Sequence, residues 1–498
     1  MTTPGRRVGG RPKKLVLAVI DAMKPEMLER AVSTGRAPTL ASIMDRGTYT
    51  GECVAAFPSV TPVCAASIAT GAGPDRHRIP SMNWFHRGEG RYVEYGTSFG
   101  ASRTFGLKRS LTDTIYNMNA EHLSAETPTV FETLDDAGVR TAGTTYLMYR
   151  GRHRHEPADE TALVRLAAQV FRKPVMGPRE FFYADIFASQ RTGCRAQLGL
   201  PGVRDRHSGC VGAHLVEHDL FDFLLLSLPD NDTHSHREGP HAQVTSIAEA
   251  DRQIERVIHA AGGPDAFFAD HAVIVCSDHS QSKVEAEIDL FSAFDGFELL
   301  PPDGSTRREP EIALCPASRS AQVYVLDSDR RQELIDRVEH TALALEGVDL
   351  VMRMGDHPDG EAVVRSPAGE LRFRPGGDAT DLQGASWSFE GDPQILDLEV
   401  DGGRLRSATY PDPFGRVWSA LRCRTAGEIV LSAAPGYEFL DWGGGHHVGG
   451  GSHGSLHAVD SHAALLWCGT GPADAAAREQ WTLRDITPMA LAHFGAGA

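Results

Sequence analysis

Short runs of branched apolar residues recur along the chain, and several of them end at acidic side chains. Residues 15–20 are continuously apolar and are followed by Asp21. Residues 221–228 run into a loop rich in Asp and His, and residues 272–277 run directly into Asp278. Continuous apolar runs of this length are typical of parallel strands that are buried on both faces. We therefore predict three strands of one parallel sheet.

Helical patterns separate the predicted strands. Between the second and third strands, apolar residues recur at helical spacing and form one face, at Ile247, Ile254, Val257 and Ile258. Residues 129–137 predict a further helix that ends at Gly138, and residues 139–145 and 462–468 predict two more strands. This alternation predicts an α/β fold with a large, mostly parallel sheet flanked by helices.

Two regions depart from this alternation. The first is rich in Arg and His without clear periodicity, and the second combines a strand and a helix with β-like segments rich in Gly and Asp. We predict a flexible basic tail at residues 1–13, core segments at 14–149, 211–317 and 425–498, an inserted cap at 150–210 and an inserted α+β subdomain at 318–424.

Composition narrows the function classes. The 498 residues are 41% hydrophobic and 23% charged, and no apolar run reaches the length of a membrane span. The basic N-terminus lacks the apolar stretch of a secretory signal, so the expected location is cytoplasmic, without membrane attachment. A formal net charge of −17 opposes broad attraction to nucleic acid, which favours a small substrate over a polymer. A phosphate-bearing substrate would have to be attracted by local charge, such as that of a bound metal ion.

The eight cysteines are far apart in the sequence and form no CxxC pair. This spacing is typical of reduced, packed thiols rather than of a disulfide framework. We therefore expect neither a disulfide nor a catalytic cysteine.

Carboxylates and imidazoles cluster after the predicted strands. Asp232 and His236 are four residues apart and precede a Gly-Pro pair, Asp278 and His279 are adjacent, and His453 lies in a glycine-rich segment. Oxygen and nitrogen ligands without thiolates are typical of catalytic sites for Zn²⁺ and related divalent ions. Taken singly, each Asp has the alternative role of a helix cap or turn former.

We predict a helix with Thr61 at its N-cap. Pro62 follows at a position that favours a first helical turn, and Gly71 ends the helix. A hydroxyl at a helix N-terminus lies near free backbone N–H groups, where a phosphoryl group is stabilised. The alternative is that Thr61 only caps the helix.

The order of these motifs resembles the alkaline phosphatase superfamily, and most closely its nucleotide pyrophosphatase/phosphodiesterase branch. The resemblance spans most of the chain outside the two predicted insertions. It rests on Asp21, on Thr61 ahead of residues 67–71 and 74–77, on Asp232 and His236 before Gly239-Pro240, and on residues 277–279 and 451–454.

The resemblance implies an alkaline phosphatase-like core and two metal ions. It makes Asp232, His236 and His453 the ligands of one ion, and Asp21, Asp278 and His279 the ligands of the other, with Thr61 beside the second. Zn²⁺ is the expected metal, with Mn²⁺ or Fe as alternatives. Thr61 would attack phosphorus in line and form a phospho-threonine, which water then hydrolyses.

The family also uses an asparagine to donate a hydrogen bond to a phosphoryl oxygen. Here Met82 occupies the simply aligned position and Asn83 follows one residue later. Asn83 is therefore a candidate catalytic donor, with a structural role as the alternative.

Several neighbouring residues compete with the chosen ligands. Asp230 and His234 repeat the four-residue spacing of Asp232 and His236, but only the latter pair has the Gly-Pro motif at the expected distance. Three histidines flank His453 and are interpreted as supporting or surface residues, at positions His446, His447 and His457. Basic residues also occur at Arg103, Lys108, Arg109 and in the run 150–155. They either bind the substrate or form a solvated surface.

The leading functional hypothesis is a phosphodiesterase or nucleotide pyrophosphatase that acts on small diesters. A phosphomonoesterase or a phosphonate hydrolase on the same site is the alternative, and an inactive metal-binding interaction protein is the non-enzymatic one. A sulfatase is disfavoured, because position 61 lacks the cysteine or serine that matures into its nucleophile.

Overall fold

A computed structural model gives the fold of the chain and describes residues 12–157, 173–306, 308–472 and 475–497. Most of the predicted basic tail, residues 1–11, and residues 158–172 of the predicted cap lie outside the described residues. Each helix in the described part of the chain is too short or too polar to cross a membrane.

The largest sheet of the core contains nine strands and is mostly parallel. From one edge to the other the strands are Trp481–Thr482, Thr48–Val54, His462–Cys468, His271–Cys276, Lys14–Ile20, Phe223–Leu228, Thr141–Thr144, Glu180–Tyr183 and Phe187–Ala188. The strand Lys14–Ile20 lies at the centre and pairs in parallel with both His271–Cys276 and Phe223–Leu228. The predicted α/β fold class is confirmed.

Helices cover both faces of this sheet, because alternate residues of the central strand point in opposite directions. Leu15 and Leu17 join one hydrophobic cluster, and Val16 and Ala18 join the other. The first face carries Thr61–Thr70, Val130–Asp136 and Ile486–Phe494. The second face carries Pro25–Ser33, Pro38–Arg46, Arg204–Glu217, Gln243–Ala260 and Pro264–Asp270.

A second sheet of nine strands is almost entirely antiparallel. Its strands are Ile312–Ala317, Ser320–Val325, Ile429–Ala433, Val348–Met354, Ala362–Ser366, Gly369–Thr380, Arg404–Arg406 and Glu399–Asp401 in order, with Ser386–Gly391 paired to Gly369–Thr380. The helices Arg331–Leu343 and Pro413–Leu421 pack on it. The sheet therefore uses strands on both sides of the boundaries expected at residues 318 and 424.

The described part of residues 150–210 is joined to the core. Glu180–Tyr183 and Phe187–Ala188 extend the main sheet, and His153–His155 pairs with Val175–Gly177.

Smaller elements connect the two sheets. The remaining strands are Asn83–His86, Arg91–Glu94, Ser282–Ile288, Gly436–Phe439 and Gly451–Ser452. The remaining helices are Pro74–His77, Phe99–Phe105, Leu107–Thr112, the π-helix Asp113–His122, Asp230–Glu238, Leu290–Ala293 and Ala458–Ser461. Short 3₁₀ turns occur at Gln197–Gly199, Pro240–Ala242, Pro393–Leu396, Ala475–Ala477 and Leu483–Asp485.

The expectation that all cysteines are reduced is wrong in this structure. Cys194 and Cys210 form a disulfide with Cα atoms 5.8 Å apart, and the other six cysteines are free. The pair joins the loop before Arg204–Glu217 to that helix, a proximity that a separation of 16 residues does not reveal. Disulfides are rare in reducing compartments, so this pair counts against the expected cytoplasmic location.

Candidate active site

The candidate ligands lie at one edge of the main sheet, where three adjacent parallel strands end. Asp21 follows Lys14–Ile20, and Asp278 follows His271–Cys276 by two residues. Asp232 lies in the helix Asp230–Glu238, which begins shortly after Phe223–Leu228. Ligands in open α/β sheets bind at the carboxyl ends of the strands, because the loops there converge. The fold therefore brings together residues that are more than two hundred positions apart.

The first cluster contains Asp21, Asp278 and His279. His279 Nε2 lies 3.6 Å from Asp21 Oδ1 and 3.5 Å from Asp278 Oδ2. Asp278 and His279 are buried, and Asp21 is partly exposed. Thr61 Oγ1 lies 3.2 Å from His279 Nε2, so the hydroxyl borders this cluster.

The second cluster contains Asp232, His236 and His453. Asp232 Oδ1 lies 3.3 Å from His236 Nε2 and 3.7 Å from His453 Nε2. Asp232 and His236 are one turn apart on the same helix, so their side chains share a face. His453 follows the short strand Gly451–Ser452 and completes the group.

The two clusters adjoin through their imidazoles. The rings of His279 and His453 stack with centroids 3.7 Å apart and planes inclined by 13°. The His236 ring is 5.2 Å from His453 on the other side. All six residues therefore line one compact site rather than two separate ones.

Each of the three histidines has its Nδ1 bonded to a backbone carbonyl. The acceptor is Gly451 O at 2.7 Å for His236, Ser280 O at 3.0 Å for His279 and Ser59 O at 2.8 Å for His453. A carbonyl accepts only, so Nδ1 carries a proton, and in the neutral form of each ring the Nε2 lone pair faces the cluster. This arrangement is typical of metal-binding histidines.

The electrostatics of the site also favour a cation. Burial, followed by the nearby charges of Asp278 and Asp232, raises the pKa of Asp21 well above its usual range. Asp21 Oδ1 is buried, and among the described residues it has no hydrogen-bond partner. Burial raises the pKa of Asp278 to about 6. A divalent ion would supply the missing partner and relieve the repulsion between the carboxylates.

The histidines stacked at the centre of the site are neutral at neutral pH. Burial lowers the pKa of His279 to about 4 and that of His453 to about 3. Neutral imidazole is the form that binds a metal ion. In the second cluster burial opposes ionisation of Asp232, but the charge and hydrogen bond of His236 lower the pKa of that carboxyl below its usual range.

Thr61 is the first residue of its helix rather than the N-cap. The helix spans Thr61–Thr70, Val60 is the N-cap, and no side chain caps the helix. The expected N-cap position of Thr61 is therefore wrong by one residue. The Thr61 hydroxyl faces His279.

Asn83 has its amide engaged elsewhere. It is buried in the strand Asn83–His86, and its Nδ2 donates to Val93 O at 3.1 Å and to Glu94 Oε2 at 3.0 Å. Both amide hydrogens are therefore used within the hairpin formed by the paired strands Asn83–His86 and Arg91–Glu94. A catalytic donor role for Asn83 stays a prediction, and these contacts favour the structural alternative.

The structure separates Asp232 and His236 from the competing pair. Asp230 accepts from Arg204 Nε at 2.8 Å and from the backbone N–H of Asp205 at 3.1 Å, so it anchors the helix Arg204–Glu217. Neither Asp230 nor His234 belongs to a candidate ligand group in the described part of the chain.

The basic residues considered for substrate binding have different surroundings. Arg150 donates to Glu132 Oε2 and to the carbonyls of Leu123, Ser124 and Thr127, which is a structural role. A second basic group lines an open surface cleft together with Arg91, at Arg103, Lys108 and Arg109.

Two further residues lie beside the ligands: Gln281, which no sequence motif identifies, and His447, which is interpreted from the sequence as a supporting or surface residue. Gln281 Nε2 donates to Asp232 Oδ1 at 2.5 Å and so orients this carboxylate. The His447 ring lies 4.1 Å from that of His236, and its Nδ1 is 2.7 Å from Glu438 Oε1. Gln281 follows the Asp-His pair by two residues, which is the only sequence signal for its place.

A buried ion pair supports the loop that carries His453. Arg319 and Asp460 are both fully buried, with Arg319 Nη1 2.5 Å from Asp460 Oδ1. Asp460 Oδ2 accepts from the backbone N–H of Ser455 at 3.0 Å, and the Arg319 N–H donates to His453 O at 2.9 Å. The turn between the first two strands of the second sheet therefore holds the His453 loop.

Comparisons with known proteins agree with the fold and identify a family. The model of the family described as type I phosphodiesterase / nucleotide pyrophosphatase matches residues 15–368. No curated protein matches the chain.

Solved structures share the fold over nearly their whole length. An inactive form of murine ectonucleotide pyrophosphatase/phosphodiesterase 5 in complex with AMP is 13% identical, with a TM-score of 0.57 over 98% of this chain and 96% of that one. The human protein is 14% identical, with a TM-score of 0.56 and the same coverage. Phosphonoacetate hydrolase from Sinorhizobium meliloti in complex with phosphonoacetate is 16% identical, with a TM-score of 0.55 over all of both chains.

Proposed function

The chain belongs to the type I phosphodiesterase / nucleotide pyrophosphatase family, whose reaction is phosphoester hydrolysis, and we propose that it hydrolyses small phosphodiesters with Thr61 as nucleophile and two metal ions as cofactors. The predicted resemblance to the alkaline phosphatase superfamily is confirmed by the family match and by the shared fold.

The observation that carries this proposal is the contact between Thr61 and the first cluster. The hydroxyl lies 3.2 Å from His279 Nε2, beside three candidate ligands and at the N-terminus of a helix. A helix N-terminus stabilises negative charge on a nearby oxygen or phosphoryl group. Thr61 is thus located where an alkoxide would be stabilised.

The donor atoms of the two clusters suit divalent ions. Asp21, Asp278 and His279 would hold one ion, and Asp232, His236 and His453 would hold the other. Three imidazoles and three carboxylates without a thiolate favour Zn²⁺, with Mn²⁺ or Fe as alternative occupants. When bound, such ions lower the pKa of a nucleophilic hydroxyl and neutralise charge on the phosphoryl group.

The residues of the chain then account for a two-step reaction. Thr61 Oγ forms a bond to phosphorus as the bond to the leaving oxygen breaks, which gives a phospho-threonine and an alcohol. Water attacks the same phosphorus in the second step, restores the Thr61 hydroxyl and releases a phosphate monoester. Ser280, Gly451 and Ser59 keep the imidazoles oriented through their carbonyls.

The substrate class follows from the family and from the charge of the chain. The net charge of −17 opposes a polyanionic substrate, so a small diester such as a nucleotide derivative is favoured. The fold shared with a phosphonoacetate hydrolase supports phosphonate hydrolysis as a second candidate.

The test compares kcat/KM for an aryl phosphate diester, the matching monoester and phosphonoacetate, with zinc-loaded protein. We expect preference for the diester and a loss of at least about 10³-fold in Thr61→Ala, since the nucleophile is removed. Thr70→Ala is the matched control, because Thr70 ends the same helix and its hydroxyl makes local hydrogen bonds, to Ala66 O and from the Ala72 N–H.

Preference for the monoester or for phosphonoacetate would contradict the proposed substrate class. Full activity of Thr61→Ala would contradict the proposed nucleophile. The zinc content of Thr61→Ala should stay that of the wild type, which separates loss of the nucleophile from loss of the metal.

A further inference from the structure

A third group of candidate metal ligands shares no residue with the active-site clusters. His86 and Glu89 lie in and after the strand Asn83–His86, and His122 ends the helix Asp113–His122. One ligand atom from each lies within 4.8 Å of the other two. We propose that His86, Glu89 and His122 bind a divalent transition-metal ion, such as Zn²⁺, that joins this hairpin to the helix.

His122 presents a nitrogen that has no partner. The residue is 5% exposed, and among the described residues its Nε2 makes no hydrogen bond. Leaving a buried polar atom unpaired is energetically unfavourable. A metal ion at Nε2 would satisfy this atom.

The other nitrogen of His122 is held in the way that a metal ligand requires. Its Nδ1 is 2.7 Å from the hydroxyl of Tyr95. When Nδ1 donates to this hydroxyl, the bond orients the ring and leaves the Nε2 lone pair for the ion, as in other metal-binding histidines.

Glu89 has one carboxylate oxygen anchored and the other directed at His86. Arg91 Nε donates to Glu89 Oε2 at 2.5 Å, whereas Glu89 Oε1 lies 3.6 Å from His86 Nε2. A separation of 3.6 Å is close to that of two ligands at about 2.0–2.2 Å from one zinc ion. The positive charge of Arg91 is compensated by Asp113, which accepts two of its hydrogen bonds at 2.7 and 2.9 Å.

His86 changes its hydrogen bonding when the ion binds. In the structure its Nδ1 accepts from the Glu89 N–H at 3.0 Å, so its Nε2 carries the proton. The same N–H also donates to His86 O at 3.1 Å, so it keeps an acceptor when the ring turns away. His86 is partly buried and Glu89 is exposed, which leaves their side chains room to close around an ion.

The donor set indicates which ion is bound. Two imidazoles and one carboxylate suit Zn²⁺ and related ions, whereas Mg²⁺ and Ca²⁺ prefer oxygen ligands. A three-ligand site with an exposed side keeps a position open for water or another ligand.

The test measures the number of zinc ions bound per full-length protein at equilibrium, over a range of buffered free zinc concentrations. We expect His86→Ala/Glu89→Gln to bind one equivalent less than the wild type, whatever number the active site holds. The matched control is His259→Ala/Glu255→Gln, an exposed His–Glu pair at a similar separation of 3.7 Å that has no third ligand within the described ranges, and it should lose no zinc.

Equal zinc binding by the wild type and the double variant overturns this site. If the double variant fails to fold, as judged by circular dichroism in chelator, Glu89→Gln alone replaces it and the same loss is expected. The measurement reports metal content rather than turnover, so it is independent of the proposed hydrolase function.

Discussion

The stacked rings of His279 and His453, 3.7 Å apart, join the two candidate metal clusters of the active site. His279 belongs to the cluster beside Thr61, and His453 belongs to the cluster that contains Asp232. A change at either imidazole therefore removes a ligand from one cluster and a packing partner from the other.

Replacement of His453 by Ala should remove one equivalent of bound zinc. Asp232 and His236 would remain as an incomplete set of two ligands. Without this ion the transition state would lose several kcal/mol of charge stabilisation, so kcat/KM should fall by at least about 100-fold. Metal analysis and diester kinetics check both effects.

His446→Ala is the control, because His446 is exposed and pairs with Glu287 on the surface. Unchanged zinc content in His453→Ala would contradict the assignment of His453 as a ligand.

Replacement of Arg319 by Ala should destabilise the protein strongly. Arg319 and Asp460 form an ion pair with both side chains fully buried, so the variant leaves an uncompensated carboxylate inside the protein. The expected cost in the free energy of unfolding is about 3–5 kcal/mol.

Chemical denaturation measures this cost, and Arg404→Ala is its matched control. Arg404 pairs with Glu479 at 2.6 Å, but both side chains are largely exposed, so the expected change is below about 1 kcal/mol. If both substitutions lowered the free energy of unfolding equally, burial would not determine how much the Arg319–Asp460 pair contributes to stability.

Replacement of Asn83 by Ala should lower stability more than catalysis. The side chain is buried, and its amide hydrogens are used by Val93 and Glu94. Removing the hydrogen bonds to Val93 O and Glu94 Oε2 is expected to lower the free energy of unfolding by about 1–3 kcal/mol. If Asn83 instead donates to the phosphoryl group, kcat would fall by about 10²–10³-fold. Thermal denaturation and kcat, measured on the same preparation, separate the two roles.

The carboxyl group of Glu94 should make stability fall as pH rises through the weakly acidic range. Burial raises the pKa of Glu94 to about 7, from a usual value near 4.5. Between these values the folded state holds a proton that the unfolded state has lost, so folding is disfavoured as pH increases. The total effect is about 3 kcal/mol, and stability becomes independent of this group above its folded pKa.

Denaturation curves between pH 4 and pH 8, compared with those of Glu94→Gln, measure this contribution. The variant cannot ionise at this position and should lose less stability as pH rises. Glu399→Gln is the control, since Glu399 is exposed on an edge strand and should leave the curve unchanged. A wild-type profile parallel to that of Glu94→Gln would contradict the expected coupling.

The main sheet could be predicted because its strands carry a local signal. The apolar run before Asp21 is buried on both faces in the structure, as are the runs before Asp232 and Asp278. Their common edge follows from parallel pairing, so the convergence of the acids was a reasonable expectation. The second sheet was harder to delimit, because Ile429–Ala433 joins it from beyond the expected boundary.

The sequence by itself determined the α/β fold class, the family and the order of the candidate ligands, because apolar periodicity and short motifs are properties of neighbouring residues. Tertiary structure decided the rest. In the folded chain Asp230 pairs with Arg204, and the amide of Asn83 donates within its own hairpin. Cys194 pairs with Cys210, and His86 and Glu89 lie close to His122. Each of these outcomes depends on a distance between side chains that folding sets, and no spacing along the chain encodes such a distance.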